Sequence, residues 1–155
     1  QSWKATSDVL AIGLPAIAAA LTFKYDDREG MKQLAWTLGS TVLSSQILSS
    51  RIHAVRPDGS GQDSFPSDHV AVAFAAARFI QIRNGDEVSP FLLYGAATLT
   101  ALARVKAEKH YWKDTVGGAV LGYAMAEYFT DSRYGQKLSV YPSSGGIAVA
   151  WQQSW

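Results

Sequence analysis

Three stretches without a charged side chain, Val9–Phe23, Leu34–Ser50 and Val88–Ala103, limit what this chain can fold into more than any other feature. Each is long enough for a helix that must turn an apolar face away from water. Crossing a bilayer takes about 20 predominantly apolar residues. The first stretch has Pro15 at its centre, and the second carries Thr37, Ser40, Thr41, Ser44, Ser45 and Gln46. They are read as buried helices of a soluble bundle, with short or tilted membrane helices as the alternative. The 155 residues suit one domain, 1–155, and 48% hydrophobic against 17% charged residues excludes a disordered chain. A formal net charge of +1 gives no electrostatic argument for a nucleic-acid partner. An anion site must then come from local clustering of basic groups. The lack of cysteine removes disulfides, thiolate metal sites and cysteine nucleophiles together. The chain opens on Gln1 rather than Met, which fits either removal of a leader or a sequence trimmed at its start.

Five helices are predicted. The first runs from about Ser7 to Phe23, with Ser7 or Asp8 as its cap and a kink at Pro15. After a charged turn over 24–30, the second runs from about Met31 to His53, with Leu34, Leu38, Val42 and Ile47 near helical spacing. Turn-forming residues make Asp58–Phe65 an irregular loop. A third helix starts near Ser67 and ends about Ile82, followed by a turn over 83–86. A fourth covers about Pro90 to Lys106, and a fifth about Trp112 to Phe129. Gly117, Gly118 and Gly122 in the fifth weaken a helix by about 1 kcal/mol each, and close approach of a neighbouring helix is the expected return. In the tail, Leu138 and Val140, then Ile147, Val149 and Trp151, alternate about a Pro142–Gly146 turn, which reads as a hairpin. The predicted fold is all-α: a compact bundle of about five helices, with a helical core over about 7–130 and a short C-terminal β-hairpin over about 136–155. The terminal Trp155 suits either packing or a membrane surface.

Three clusters carry candidate chemistry. His110 and Asp114 are four apart and share a face if helical. Asp114 can then accept the proton of one ring nitrogen and leave the other free to attack. A surface pair or a helix cap is the bland alternative. Arg104 lies six residues before His110, and a turn around Ala107–Lys109 would let both point into one pocket. Ser67, Asp68 and His69 fall in the first turn of the third helix, where free amides and the helix dipole form a phosphate cradle. The Ser67 hydroxyl adds a donor, and His69 can act as general acid. The alternative is that Pro66-Ser67 only starts a helix. Arg56, before Pro57, offers a guanidinium able to hold two phosphoryl oxygens. His53 is the third histidine and is read as a bystander.

Taken together, Arg56-Pro57, then Pro66-Ser67-Asp68-His69, then Arg104-x5-His110-x3-Asp114 resemble the three motifs of the type 2 phosphatidic acid phosphatase family. That family also includes bacterial acid phosphatases and vanadium haloperoxidases. Its pattern is Lys-x6-Arg-Pro, Pro-Ser-Gly-His and Ser-Arg-x5-His-x3-Asp. This chain departs at three places: Asp68 replaces the glycine, Ala103 the serine, and Ser49 the lysine. Arg51 is the candidate replacement cation, with Lys106, Lys109 and Lys113 nearby.

The resemblance implies a helical phosphatase without metal or other cofactor. In it, His110 attacks phosphorus, Asp114 orients His110, and His69 protonates the leaving group. Arg56, Arg104 and Arg51 would hold the equatorial oxygens, with Ser67 and the Asp68 backbone completing the cradle. It also implies a phosphorylated small molecule or lipid as partner, and a bacterial periplasmic, membrane-associated location. Two alternatives remain at this stage: a vanadium-dependent haloperoxidase, and a catalytically degenerate phosphate- or lipid-binding protein. The substrate and the oligomeric state are not legible.

Overall fold

The computed structural model describes residues 2–133 and 136–153. Among them, helices α1 (Ser2–Lys24), α2 (Arg28–Ile52), α3 (Asp68–Asn84), α4 (Pro90–Lys106) and α5 (Trp112–Phe129) precede strands β1 (Gln136–Ser143) and β2 (Gly146–Gln153). A short 3-10 turn, Gly85–Glu87, links α3 to α4. Pairing of Leu138 with Trp151 and Val140 with Val149 gives the expected hairpin. Trp155, at the end of that predicted tail, lies outside the described residues.

Small side chains make α3 the axis. Ala71, Ala73, Ala75, Ala76 and Ala77 are sealed from solvent together with Val70, Phe79 and Ile80. A helix buried on every side needs no polar stripe, and alanines let neighbours approach from all directions. The other four helices all pack on it. Leu14 and Ala18 of α1, Leu34 of α2 and Leu93 and Ala97 of α4 meet Phe79 and Ile80 in the core. Each large side chain buried there stabilises by roughly 1.5–3 kcal/mol. The expected close approach falls at Gly118 and Gly122. A Cβ on Gly118 would stand 2.5 Å from the Ser67 carbonyl oxygen, and one on Gly122 would overlap the Ala71 carbonyl.

Three expectations change. α1 begins at Ser2, so Ser7 and Asp8 lie inside the helix rather than capping it. α3 continues through Arg83 and Asn84, which were expected in a turn. Arg83 is buried because it has partners: its guanidinium pairs with Asp27, which caps α2 through the Gly30 amide at 2.9 Å, and reaches the Asp131 carbonyl at 2.7 Å. The third change concerns the uncharged stretches, which are buried on one side only. Val9, Ile12 and Phe23 on α1, Trp36 and Leu43 on α2, Phe91 and Leu92 on α4, and Val116 and Val120 on α5 are all exposed. Among the described residues, Ser2–Lys24 is the helix long and apolar enough to cross a membrane.

The chain runs up and down. His69 at the start of α3 meets Asp8 near the start of α1, and the Ser67 amide donates to the Asp114 carbonyl at the start of α5. The ends of α2 and α4 arrive there too, through Ser45 to Asp68 and through Arg104 to His110. One end of the bundle therefore gathers the N-termini of α3 and α5, whose dipoles favour an anion, beside the second turn of α1.

Candidate active site

His110 sits in the sharp connection between α4 and α5. Glu108 adopts a left-handed conformation (φ 55°), and Tyr111, extended at φ −83° and ψ 162°, is the N-cap of α5. The helix thus begins after His110, and the i, i+4 geometry assumed for His110 and Asp114 does not apply. This overturns the expected direct contact. The His110 Nδ1–H donates to the Ser64 carbonyl at 2.7 Å. The Asp114 carboxylate instead accepts from the Ser64 hydroxyl and, at 2.8 Å, from the Tyr111 amide. Asp114 therefore acts on His110 through Ser64, a residue that motif spacing alone does not reveal.

With Nδ1 committed as a donor, Nε2 of His110 keeps its lone pair and faces Arg104 Nη2 at 3.4 Å. Burial, reinforced by the Arg104 and Arg56 charges, pushes this imidazole down from 6.5 to about 4, against the opposing pull of the Ser64 carbonyl and Asp114. The ring is neutral at neutral pH, as a nucleophile must be.

Arg104 comes from the last turn of α4 and is almost wholly buried. Its Nη1 lies 3.5 Å from Ser7 Oγ and 3.7 Å from Asp8 Oδ1. Asp8 Oδ1 is in turn 2.9 Å from His69 Nε2. The two histidines are thus joined through one guanidinium and one carboxylate. Ser67, the N-cap of α3, makes no side-chain cap. Its hydroxyl and Arg104 Nε are buried donors without a protein partner. Buried donors are normally satisfied, and Ser67 stands at the first-turn amides of α3 that no helix bond can use. Asp68, which stands where the family has glycine, turns its carboxylate to α2, where Ser45 donates to it.

Arg56 is held by Asp63, with Nε and Nη2 donating at 2.7 and 2.9 Å, and this pairing keeps Asp63 below the usual carboxylate range. Arg56 is near enough to both His110 and Arg104 to disfavour their charged forms. Its loop is pinned to the α4–α5 connection by Lys109 Nζ on Asp58 at 2.6 Å and by the Asp58 amide on the Glu108 carbonyl at 3.1 Å. Arg51 is exposed at the end of α2, and no contact joins it to His110, Arg56 or Arg104 among the described residues. His53 is exposed and caps α2 in a left-handed conformation. No group of three His, Asp or Glu side chains among the described residues could hold a metal ion.

The geometry combines a neutral imidazole whose Nε2 lone pair accepts from Arg104, a second imidazole on a carboxylate, two guanidinium groups and a helix start. Such a set suits in-line attack on a tetrahedral anion. A family model described as the PAP2 superfamily matches residues 30–136. The chain is 34% identical over 76 residues to the lipid A 1-phosphatase of Porphyromonas gingivalis, covering 47% of this chain but only 17% of that protein. Its fold resembles Aquifex aeolicus LpxE, with a TM-score of 0.52 at 20% identity over 77% of this chain and 82% of that one. It also resembles the first transmembrane PAP2-type phosphatidylglycerolphosphate phosphatase, from Bacillus subtilis, with a TM-score of 0.53 at 19% identity over 83% and 82%. At these identities the two structures speak for the fold alone.

Proposed function

The chain belongs to the PAP2 superfamily, and from that premise we propose that it is a metal-independent phosphatase. It hydrolyses phosphate monoesters, lipid-linked phosphate or diphosphate among them, through a phosphohistidine on His110. His110 Nε2 attacks phosphorus, the P–N bond forms, and the P–O bond to the leaving group breaks. His69 gives its proton to the departing oxygen. Water then attacks, His69 takes a proton from it, the P–N bond breaks, and phosphate leaves. Arg104 and Arg56 neutralise the equatorial oxygens, with Ser67 Oγ and the backbone amides of Asp68 and His69 completing the cradle. Asp114 is a positioning residue acting through Ser64. Arg51 is assigned no more than a rim contact with a larger substrate.

The observation that carries this reading is the placement of buried Arg104, with Nη2 at His110 Nε2 and Nε and Ser67 Oγ unpaired. A panel of soluble and lipid-linked esters, assayed with chelator, should show turnover that vanadate inhibits. A brief pulse of labelled substrate should leave acid-labile phosphate on the protein, and His110→Ala should abolish both. Activity retained in His110→Ala defeats the assignment.

The same reading places the protein at a membrane. Four uncharged helix flanks, 9–23, 34–50, 90–103 and 115–126, form an apolar girdle between two charged ends. A lipid surface covers such a girdle, and the catalytic end then lies at headgroup level, where a lipid-linked phosphate is presented. In a bacterium the catalytic end faces the periplasm. The chain has no cysteine, so a single Lys113→Cys placed beside the site should react with an impermeant maleimide from the periplasmic side. Labelling only after lysis rules out that orientation.

A further inference from the structure

The contact between Asp8 and His69 has no counterpart in the three motifs, and Asp8 lies outside the segment 30–136 that the family model matches. The two histidines of the site are held differently. His110 donates to a neutral backbone carbonyl, whereas His69 Nε2 lies 2.9 Å from a carboxylate. A neutral acceptor fixes a tautomer and leaves a nucleophile uncharged. A carboxylate stabilises an imidazolium, the form a general acid needs. We propose that Asp8 is the positioning residue that makes His69 the acid of the pair: it accepts the Nε2–H and leaves Nδ1 as the atom that passes a proton to the leaving oxygen.

Each oxygen of Asp8 is engaged on its own side. Oδ2 accepts from Lys4 Nζ at 2.9 Å, while Oδ1 meets His69 and lies 3.7 Å from Arg104 Nη1. Lys4 and Arg104 thereby offset a negative charge that would otherwise repel a phosphate. The groups facing His69 are Asp8 on α1 with Lys4 behind it, Arg104 on α4 and Asp68 on its own helix. From α2 comes uncharged Ser45, and Asp114 of α5 is engaged by Ser64 and the Tyr111 amide. Burial first, and then Arg104, hold the His69 ring below the ordinary histidine value, and the opposing pull of Asp8, with a smaller one from Asp68, limits that fall. Through the whole cycle Asp8 stays ionised and keeps the Nε2 proton in place. Nδ1 alone loses its proton as the P–O bond breaks and regains one from the attacking water.

This rests on the phosphatase reading, and the test separates the two. In the full chain, Asp8→Asn keeps the shape of the side chain and removes its charge. The His69 ring should then titrate about one pH unit lower by NMR, as expected for loss of an opposite charge at hydrogen-bond distance. The alkaline limb of kcat/KM should move down by the same amount. Turnover of an alkyl phosphate, whose leaving group needs a proton, should fall about tenfold. For p-nitrophenyl phosphate, whose leaving group needs no proton, kcat/KM should fall much less than for the alkyl phosphate. Asp8→Glu, which restores the charge, should return the limb toward the parent value. The proposal is overturned if Asp8→Asn leaves the His69 titration and the limb in place. It is equally overturned if Asp8→Asn raises activity and tightens vanadate, since Asp8 would then be competing with the anion. If instead His69→Ala and His110→Ala remain active, the phosphatase mechanism fails, and the NMR titration still reports on Asp8.

Discussion

Replacing Asp114 by Asn tests whether the carboxylate acts on His110 directly or through Ser64. Asp114 is fully buried, and one oxygen accepts from the Ser64 hydroxyl and the Tyr111 amide. Hydrogen bonds to a charged acceptor contribute about 1.5–3 kcal/mol and neutral ones about 0.5–1.5. Converting two of the first kind to the second removes on the order of 2 kcal/mol, or roughly 4–8 °C of Tm for a domain of this size. Losing a carboxylate bonded straight to a catalytic histidine lowers kcat by about 10⁴ in the serine-protease template, because the wrong tautomer results. Here the Ser64 carbonyl holds the tautomer whatever stands at 114. The expected fall in kcat is therefore only on the order of tenfold to a hundredfold, the scale of a displaced supporting group. Ser64→Ala keeps the carbonyl and removes the hydroxyl, so it should give a smaller loss in the same direction. The double variant should lose less than the sum, since both changes break one bond. Steady-state kinetics and thermal melts of the three variants decide the matter. A loss near 10⁴ in Asp114→Asn, with Ser64→Ala unaffected, would falsify the indirect arrangement.

The depressed His110 titration gives a pH prediction. Nucleophilic attack needs the neutral ring, so the acid limb of kcat/KM should rise with pH through about 4, with His69 setting the alkaline limb. An acid limb near 6.5, the ordinary value for a histidine, would show that the ring is not desolvated. The stability consequence has the same sign. The unfolded chain takes up the proton first, near 6.5, so the contribution of His110 is complete above that pH and is lost as pH falls to about 4. Chemical denaturation across that window measures it. Gly122→Ala should gain about 1 kcal/mol of helix propensity yet lower the Tm, because its methyl group would overlap the Ala71 carbonyl and overpacking costs about 1–3 kcal/mol. An unchanged or higher Tm means that α5 does not lie against the α3 backbone. Val120→Lys puts a charge on the exposed girdle of α5. It should shift the protein from the membrane fraction toward the soluble one, while a similar shift produced by Lys106→Gln at the charged end would argue against the girdle.

Local rules read α4 and α5 well because their boundaries are written locally. Pro90 occupies the first turn of α4, and the Ala107–Lys109 connection breaks the chain between the two helices. They failed where partners lie far along the chain. Ser7 and Asp8 have the residue types of a cap, but Asp8 faces His69 and Ser7 faces Arg104, and the helix starts before both. Arg83 looked like a turn residue until Asp27, 56 positions away, was beside it. Spacing brought Asp114 into the right place with the wrong contact, because a four-residue interval has meaning only inside a helix and His110 stands outside it. The uncharged runs disclosed that one face must avoid water, but nothing in an apolar run says whether protein or lipid covers its other face.

Arg83 has a further consequence for how the molecule can tolerate change. It fastens α3, the start of α2 and the segment after α5 at the pole farthest from His110. Rigidity is thus secured where no chemistry occurs. Changes in the loop between α2 and α3, which carries Arg56 and Ser64, act on the candidate site without loosening that fastening. New substrate preferences on this scaffold should therefore arise by remodelling one pole alone.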